Sequence, residues 1–385
     1  MPGSTKTDER TEMGGCVLIT GGAGFIGSHL GDQLLGQGYR VRVLDALDAQ
    51  VHGDGGSRPA YLAPEIEFVA GDVRDPDAIR RALTGADAVV HLAARVGVGQ
   101  SMYHVADYVG VNDLGTAVLL QALVERPVGR LIVASSMSIY GEGLYRDQHG
   151  RIVEDAARRP AALRRGRWDP SDARDRSLVP VPTPEWKRPA LASVYALSKF
   201  AQERMCLLIG DAYGIPTTAL RFFNVYGARQ ALSNPYTGVL AIFAARLLNQ
   251  RRPLVFEDGE QRRDFVDVRD VARACRLALE APDARGQAIN VGSGRSQSVR
   301  EVALRLAEAL NCPRLAPEIT GRFRIGDVRH CFADLALARE LLGYEPRVGF
   351  EDGVLALAEW LARSGGAIDR VDEATAELHA RGLVA

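Results

Sequence analysis

"CVLITGGAGFIGSHL", residues 16–30, decides the fold. Apolar, β-branched-rich residues run for the length of a buried strand, and Gly21, Gly24 and Gly27 then fall at the opening of a helix-period segment. In such a turn one glycine permits the tight bend, another lets the backbone approach a pyrophosphate, and another allows the helix to pack closely. The helix N-terminus supplies N–H donors to the anion. Six more runs of strand length follow: YRVRVLDA (39–46), IEFVAGD (66–72), AVVHLAA (88–94), RLIVASS (130–136), TTALRFF (217–223) and QAINVGS (287–293). Helix-period segments such as IGSHLGDQLLGQG, DAIRRALTG and NDLGTAVLLQALVER lie between the early ones. This order predicts right-handed βαβ units, hence an α/β fold with a doubly wound parallel sheet of Rossmann type.

The rhythm breaks twice. Residues 144–189 are rich in Arg, Asp and Pro and read as an irregular insertion, with Trp168 and Trp186 available to pack. From Asn224 onward, loops and short helices suggest a smaller, mostly C-terminal lobe that binds substrate. The expected organisation is a polar tail (1–13), a dinucleotide-binding domain (14–223), a substrate lobe (224–363) whose residues 264–294 return to the first domain, and a C-terminal extension (364–385). A formal charge of −1 over 385 residues gives no footprint for nucleic acid or an anionic membrane. No apolar run is long enough to span a bilayer, and the N-terminal residues lack a secretory pattern, so a cytoplasmic protein acting on a small molecule is expected. Five cysteines without a C-x-x-C pair and seven histidines without ligand spacing indicate no metal site.

Asp45 closes the strand after the glycine turn, near the roughly 20-residue offset at which an acid meets the adenosine ribose. A carboxylate there repels a 2′-phosphate, which favours NAD over NADP. Farther on, Tyr195 and Lys199 stand four apart in SVYALSKF, on one face of a predicted helix that stops near Gly214 and Pro216. Lys199 is one of three lysines in an arginine-rich chain. A compact ammonium beside a tyrosine favours the phenolate and so makes a usable base.

The G-x-x-G-x-x-G turn together with Y-x-x-x-K resembles the extended branch of the short-chain dehydrogenase/reductase superfamily, which acts on nucleotide sugars. The chain is most similar to the dTDP-L-rhamnose 4-epimerase-like and UDP-glucose 4-epimerase members. The resemblance, running from about Gly14 to about Trp360, implies that Phe25 and Ile26 accompany the glycines at the cofactor. It places Asp72 and Val73 of GDVRD near the adenine, Leu92, Ala93 and Ala94 of HLAA along the nicotinamide half, and Asn112 in the next helix. It assigns catalysis to Ser136, Tyr195 and Lys199, with Tyr195 and Lys199 also touching the cofactor. Substrate contacts fall to Ser136, Met137, Ser138, Asn224, Arg263 and Arg324, the two arginines converging on a diphosphate. It also implies a homodimer paired through the Tyr195 helix. Some similar chains carry cysteine pairs in the insertion; this one has none there.

Met137 and Ser138 discriminate between reactions. Family members that dehydrate a 4-keto sugar carry an Asp–Glu pair at these places, and without an acid and a base there dehydration is disfavoured. Decarboxylation also expects a glutamate here, and epimerisation beside a ketone a nearby cysteine. What remains is hydride chemistry at C4. Two readings stay open, a 4-epimerase on a dTDP- or UDP-linked sugar, most simply a 6-deoxyhexose, and a one-way 4-ketoreductase using NAD(P)H; a non-catalytic dinucleotide sensor is a third. The insertion is expected to pack over the sugar cleft.

Overall fold

A computed structural model describes residues 14–53, 56–232, 234, 236, 238–324, 326–363 and 369–384. The 1–13 tail, with Lys6, and residues 364–368 and 385 of the extension lie outside the described residues.

All seven apolar runs become strands of one parallel sheet. Strands β1 (Cys16–Thr20), β2 (Arg40–Asp45), β3 (Glu67–Ala70), β4 (Ala88–His91) and β5 (Arg130–Ser136) are joined by Thr217–Phe222 and Ala288–Val291. From one edge the order is Ala288–Val291, Thr217–Phe222, β5, β4, β1, β2, β3. Strand β1 is buried on both faces: Val17 and Ile19 enter one apolar core and Leu18 the other. That explains its unbroken apolar run, which alternation would have interrupted. The chain leaves β1 in one direction towards β2 and β3 and in the other towards β4. This reversal opens a crevice at the carboxyl ends of β1 and β4, where open α/β sheets bind ligands.

The smaller lobe is a short mixed sheet in which Arg262–Asp267 pairs with Asn224–Tyr226, Ser296–Ser298 and His330–Cys331. Its helices Val239–Leu248, Val299–Ala309 and Phe350–Arg363 close around Phe243, Phe265, Leu306 and Leu357. Between these elements the helix Val268–Glu280 returns to lie on helix α1 (Phe25–Gly36), and Ala288–Val291 closes the edge of the large sheet.

The insertion differs from expectation. Leu144–Arg146 pairs antiparallel with Ile152–Val153 and with Val179–Val181, making a three-stranded sheet. Trp168 packs on Phe323 with ring centroids 6.1 Å apart, whereas Trp186 is exposed. No residue of 144–189 lines the main cleft. The insertion is instead held behind it by a charge network centred on buried Arg329, Arg158 and Glu257. Arg329 donates to Asp169, Glu257 and Asp258, and Arg158 pairs with Glu142 and Glu257. Ionic groups removed from water persist when each is paired, and here the insertion supplies Arg158 to Glu257, and half-exposed Asp169 to Arg329, of the smaller lobe. It therefore supports the wall carrying residues 323–330 rather than covering the sugar site.

Candidate active site

The cofactor half is built from backbone. Gly21 has φ +67, and a Cβ there would lie 2.8 Å from the backbone of Ala93, so the turn can pass the β4 loop only with glycine. Gly24 is the N-cap of α1 and offers no side-chain cap, so first-turn N–H groups remain for a phosphate. Asp45 accepts from Ala23 N at 3.0 Å and Leu47 N at 2.9 Å, one bond per carboxylate oxygen. His52 Nε2 lies 3.6 Å from Oδ1, and Oδ2, with a single amide donor, keeps a lone-pair site for a ribose hydroxyl. Gly27, Phe25, Ile26, Val73, Leu92, Ala93 and Ala94 line the same half of a cleft of about 630 Å³, and so does Asp72. Arg74 holds the Asp72 carboxyl below its usual range through side-chain hydrogen bonds at 2.6 and 3.0 Å. These groups fit a dinucleotide with an unphosphorylated adenosine ribose.

Asn112 is not brought to the cleft. It sits fully buried in a π-helical turn, Val109–Leu114, accepting from Arg95 N at 2.7 Å and donating to Arg95 O and to Ser198 Oγ. It ties the loop after β4 to the helix Val194–Ala212, and the wider turn accommodates that reach where the sequence pattern predicted plain α-helix.

The helix Val194–Ala212 starts on Ser193, whose hydroxyl accepts from Ala196 N at 3.1 Å, and carries Tyr195 and Lys199 into the crevice. Ser101 fixes its first turn by accepting from Tyr195 N at 3.0 Å. At the end of β5 the Ser136 hydroxyl accepts from Ser138 N at 3.2 Å and from Ser138 Oγ at 2.9 Å, leaving its proton for another oxygen. Burial raises the Tyr195 phenol above its ordinary value, and the nearby Ser136 hydroxyl pulls it partly back.

Lys199 is buried in the wall of the crevice. Burial lowers its ammonium to about 8, and its Nζ donates to Gln202 Oε1 at 2.7 Å. The direction of each proton behind Lys199 can be assigned. Thr116 Oγ1 donates to Asn112 O at 2.5 Å, so it accepts from Gln202 Nε2 at 2.8 Å and from His91 Nε2 at 2.9 Å. His91 is thus the Nε2–H tautomer, and its Nδ1 accepts from Thr20 Oγ1 at 2.7 Å. Burial keeps this imidazole neutral, its pKa lowered to about 3. The network fixes the Gln202 amide with its oxygen towards the ammonium.

Sequence reasoning missed Gln202 and also Glu203. The Glu203 carboxylate takes a bidentate contact from Arg221 at 2.7 and 3.0 Å and a hydrogen bond from Ser135 at 2.6 Å, locking the helix to the sheet. Its position, four residues beyond Lys199 on the same helix face, was the available signal.

In the substrate half, Met137, Ser138, Asn224, Arg263 and Arg324 all line the cleft. Buried Asn224 Oδ1 has no hydrogen-bond partner, and neither has Arg324 Nε, whose guanidinium lies 4.4 Å from the centroid of Phe256. Arg263 differs from Arg324: it donates to the carbonyls of Arg329, at 2.8 Å, and of Val328, and approaches Asp327. The expected convergence of two available arginines thus reduces to one, because the loop 327–329 satisfies the other.

A glycine turn at the switch point of a seven-stranded sheet, with a Ser–Tyr–Lys set across the crevice, defines an extended short-chain dehydrogenase/reductase. The chain belongs to the NAD dependent epimerase/dehydratase family, whose model matches residues 17–162 and 179–292. It is 35% identical over 359 residues to a dTDP-L-rhamnose 4-epimerase of Burkholderia thailandensis, covering 90% of this chain and 95% of that protein. Among solved structures, a UDP-glucose 4-epimerase of Thermotoga maritima with UDP-glucose superposes with a TM-score of 0.73 at 30% identity, covering 91% of this chain and 99% of that one. The Thermus thermophilus UDP-glucose 4-epimerase in complex with NAD gives 0.70 at 31%, with the same coverage. Among the described residues no helix is long and apolar enough to cross a membrane.

Proposed function

We propose that this chain is a nucleotide-sugar 4-epimerase acting on a dTDP-linked 6-deoxyhexose. The observation that carries the reading is that Ser136, Tyr195 and Lys199 line one cleft together with Met137 and Ser138, which stand where a dehydratase needs its acid and base. Bound NAD supplies a hydride acceptor and donor at C4 of the sugar. Ser136, already accepting twice from Ser138, directs its proton to the C4 oxygen. Tyr195 removes the proton of the C4 hydroxyl and returns it at the end of the cycle. Lys199, pinned by Gln202, keeps two ammonium protons for oxygens in the crevice. Met137 can neither protonate a leaving C6 hydroxyl nor take the C5 proton, so the ketone is left to accept hydride back. Turning the ketone over inverts C4, and Arg324 and Asn224 hold the diphosphate meanwhile. The dTDP-sugar named for the Burkholderia relative supports the base and sugar.

Exposed Leu114, Leu197 and Leu208, on adjacent helices that include the Tyr195 helix, support a homodimer paired there. The lack of an apolar spanning helix among the described residues supports a cytoplasmic enzyme. The experiment that tests the reaction is purification without added nicotinamide. About one NAD per chain and interconversion of the two C4 epimers support it; a requirement for added NAD(P)H, consumed with each turnover, replaces it with the ketoreductase.

A further inference from the structure

The helix Val371–Ala380 and the residues after it were assigned no role by the sequence, yet they cross the mouth of the cleft. Leu378 and Leu383 line it. Leu378 lies 3.2 Å from the point a Cβ on Gly99 would occupy, two residues from the Ser101 that fixes Tyr195. Past the end of the helix, Gly382 takes φ +70, and Leu383 N bonds Leu378 O at 2.9 Å and turns the chain back. Val384 then forms an antiparallel bridge with Arg324. The segment therefore touches both lips of the substrate half, the loop after β4 on one side and the unpaired arginine on the other.

The two ends of this strap are held differently. Just before its start, buried Asp369 pairs with buried Arg246 at 3.6 Å, and Asp372 reaches the same guanidinium at 2.7 Å, anchoring it to the helix Val239–Leu248. Over the cleft, Glu377 accepts from Tyr103 at 3.0 Å and Tyr236 at 2.9 Å, and Arg381 stacks on Tyr103 at 4.1 Å. Glu377 and Arg381 remain substantially exposed, so these contacts are of the weak, solvent-screened kind. One end is fixed and the other is a light latch.

We propose that residues 371–384 form a movable wall of the substrate pocket, and that Leu378 and Leu383 contact the bound nucleotide sugar. The proposal rests on the epimerase reading in one respect: a ketone that must turn over and be reduced again has to be kept from solvent, and this segment lies along the substrate half of the cleft. An apolar wall also suits a deoxysugar, which presents a methyl group in place of a hydroxyl.

The test uses the full chain loaded with NAD. Amide hydrogen exchange is measured with and without dTDP-L-rhamnose and UDP-glucose, binding of each is measured by calorimetry, and the kinetics of Leu378→Ala and Glu377→Gln are compared with wild type. A bound sugar nucleotide should slow exchange across 371–384 at least tenfold. Leu378→Ala should raise KM about tenfold, more than it lowers kcat, with NAD content unchanged. Glu377→Gln, which keeps the helix intact, should lose most of the slowing and accumulate reduced cofactor as ketone escapes. Binding that leaves exchange in 371–384 unaltered, with Leu378→Ala at the wild-type KM, overturns the wall. If neither sugar nucleotide binds, the dTDP- or UDP-sugar reading fails first and takes the proposal with it.

Discussion

The two halves of the cleft are made in different ways. The cofactor half comes from one continuous stretch, β1 to β2, plus the ends of β3 and β4, and most of its polar work is done by backbone. Gly21 makes the turn, Gly24 leaves the helix N–H groups open, and Asp45 is pre-set by two amides. The substrate half gathers side chains from near positions 99, 137, 224, 263, 324 and 378, and leaves Asn224 Oδ1 and Arg324 Nε without partners. A site fixed by local backbone geometry tolerates little change, whereas one assembled from distant side chains can be retuned residue by residue. Tyr195 and Lys199 stand on the seam and serve both.

The seam gives the largest effect. Tyr195→Phe removes the acid–base group and should lower kcat about 10²- to 10⁴-fold with NAD still bound. Lys199→Arg should fall nearly as far, because the 2.7 Å contact with Gln202 and the burial of Nζ leave no room for a wider fork. Normal turnover by either variant would break the division at its centre. Next come the two arginines, which should separate cleanly. Arg324→Met should raise KM about tenfold to a hundredfold, the loss of a charge-assisted contact. Arg263→Met should change KM less and instead lower Tm by about 2–5 °C, since its partners are the chain's own carbonyls. Equal KM effects would mean that the loop 327–329 releases Arg263 in the complex.

A third test concerns His91, under the cofactor half. It is neutral in the fold with a pKa near 3, while its unfolded value is 6.5. Between these values the unfolded chain binds the extra proton, so stability falls as pH drops from 6.5 towards 3, by up to about 1.4 kcal/mol per unit. His91→Gln should flatten that slope by about one proton, whatever its stability at pH 7. The smallest effect belongs to the insertion. Asp169→Asn weakens a partly exposed tie to Arg329 and His330 and should raise KM only about two- to fivefold through the 323–330 wall. A total loss of activity would restore the insertion to the cleft itself.

This contrast also accounts for what the sequence could show. The seven strands were legible because a parallel sheet covered on both faces imposes apolar runs, and the glycine turn because steric exclusion acts within a few residues. Ser136, Tyr195 and Lys199 could be named from one strand end and one helix face. The partnership of Lys199 with Gln202, Thr116 and His91 joins three elements whose separation carries no periodic signal. The fate of Arg263 depended on carbonyls 65 and 66 positions away. Residues 144–189 read as irregular because their prolines and charges hide strands of two and three residues, too short to show a period. The 371–384 segment has ordinary helical composition, and only the fold reveals which opening it crosses.

The central claim is that hydride leaves and returns to the same carbon. Enzyme purified without added nicotinamide would be given a dTDP-6-deoxyhexose carrying deuterium at C4, and the product followed by NMR. The account predicts the C4 epimer with deuterium retained at C4 and no reduced cofactor in solution. Loss of the label to free nicotinamide, or no conversion until NAD(P)H is supplied, would contradict it.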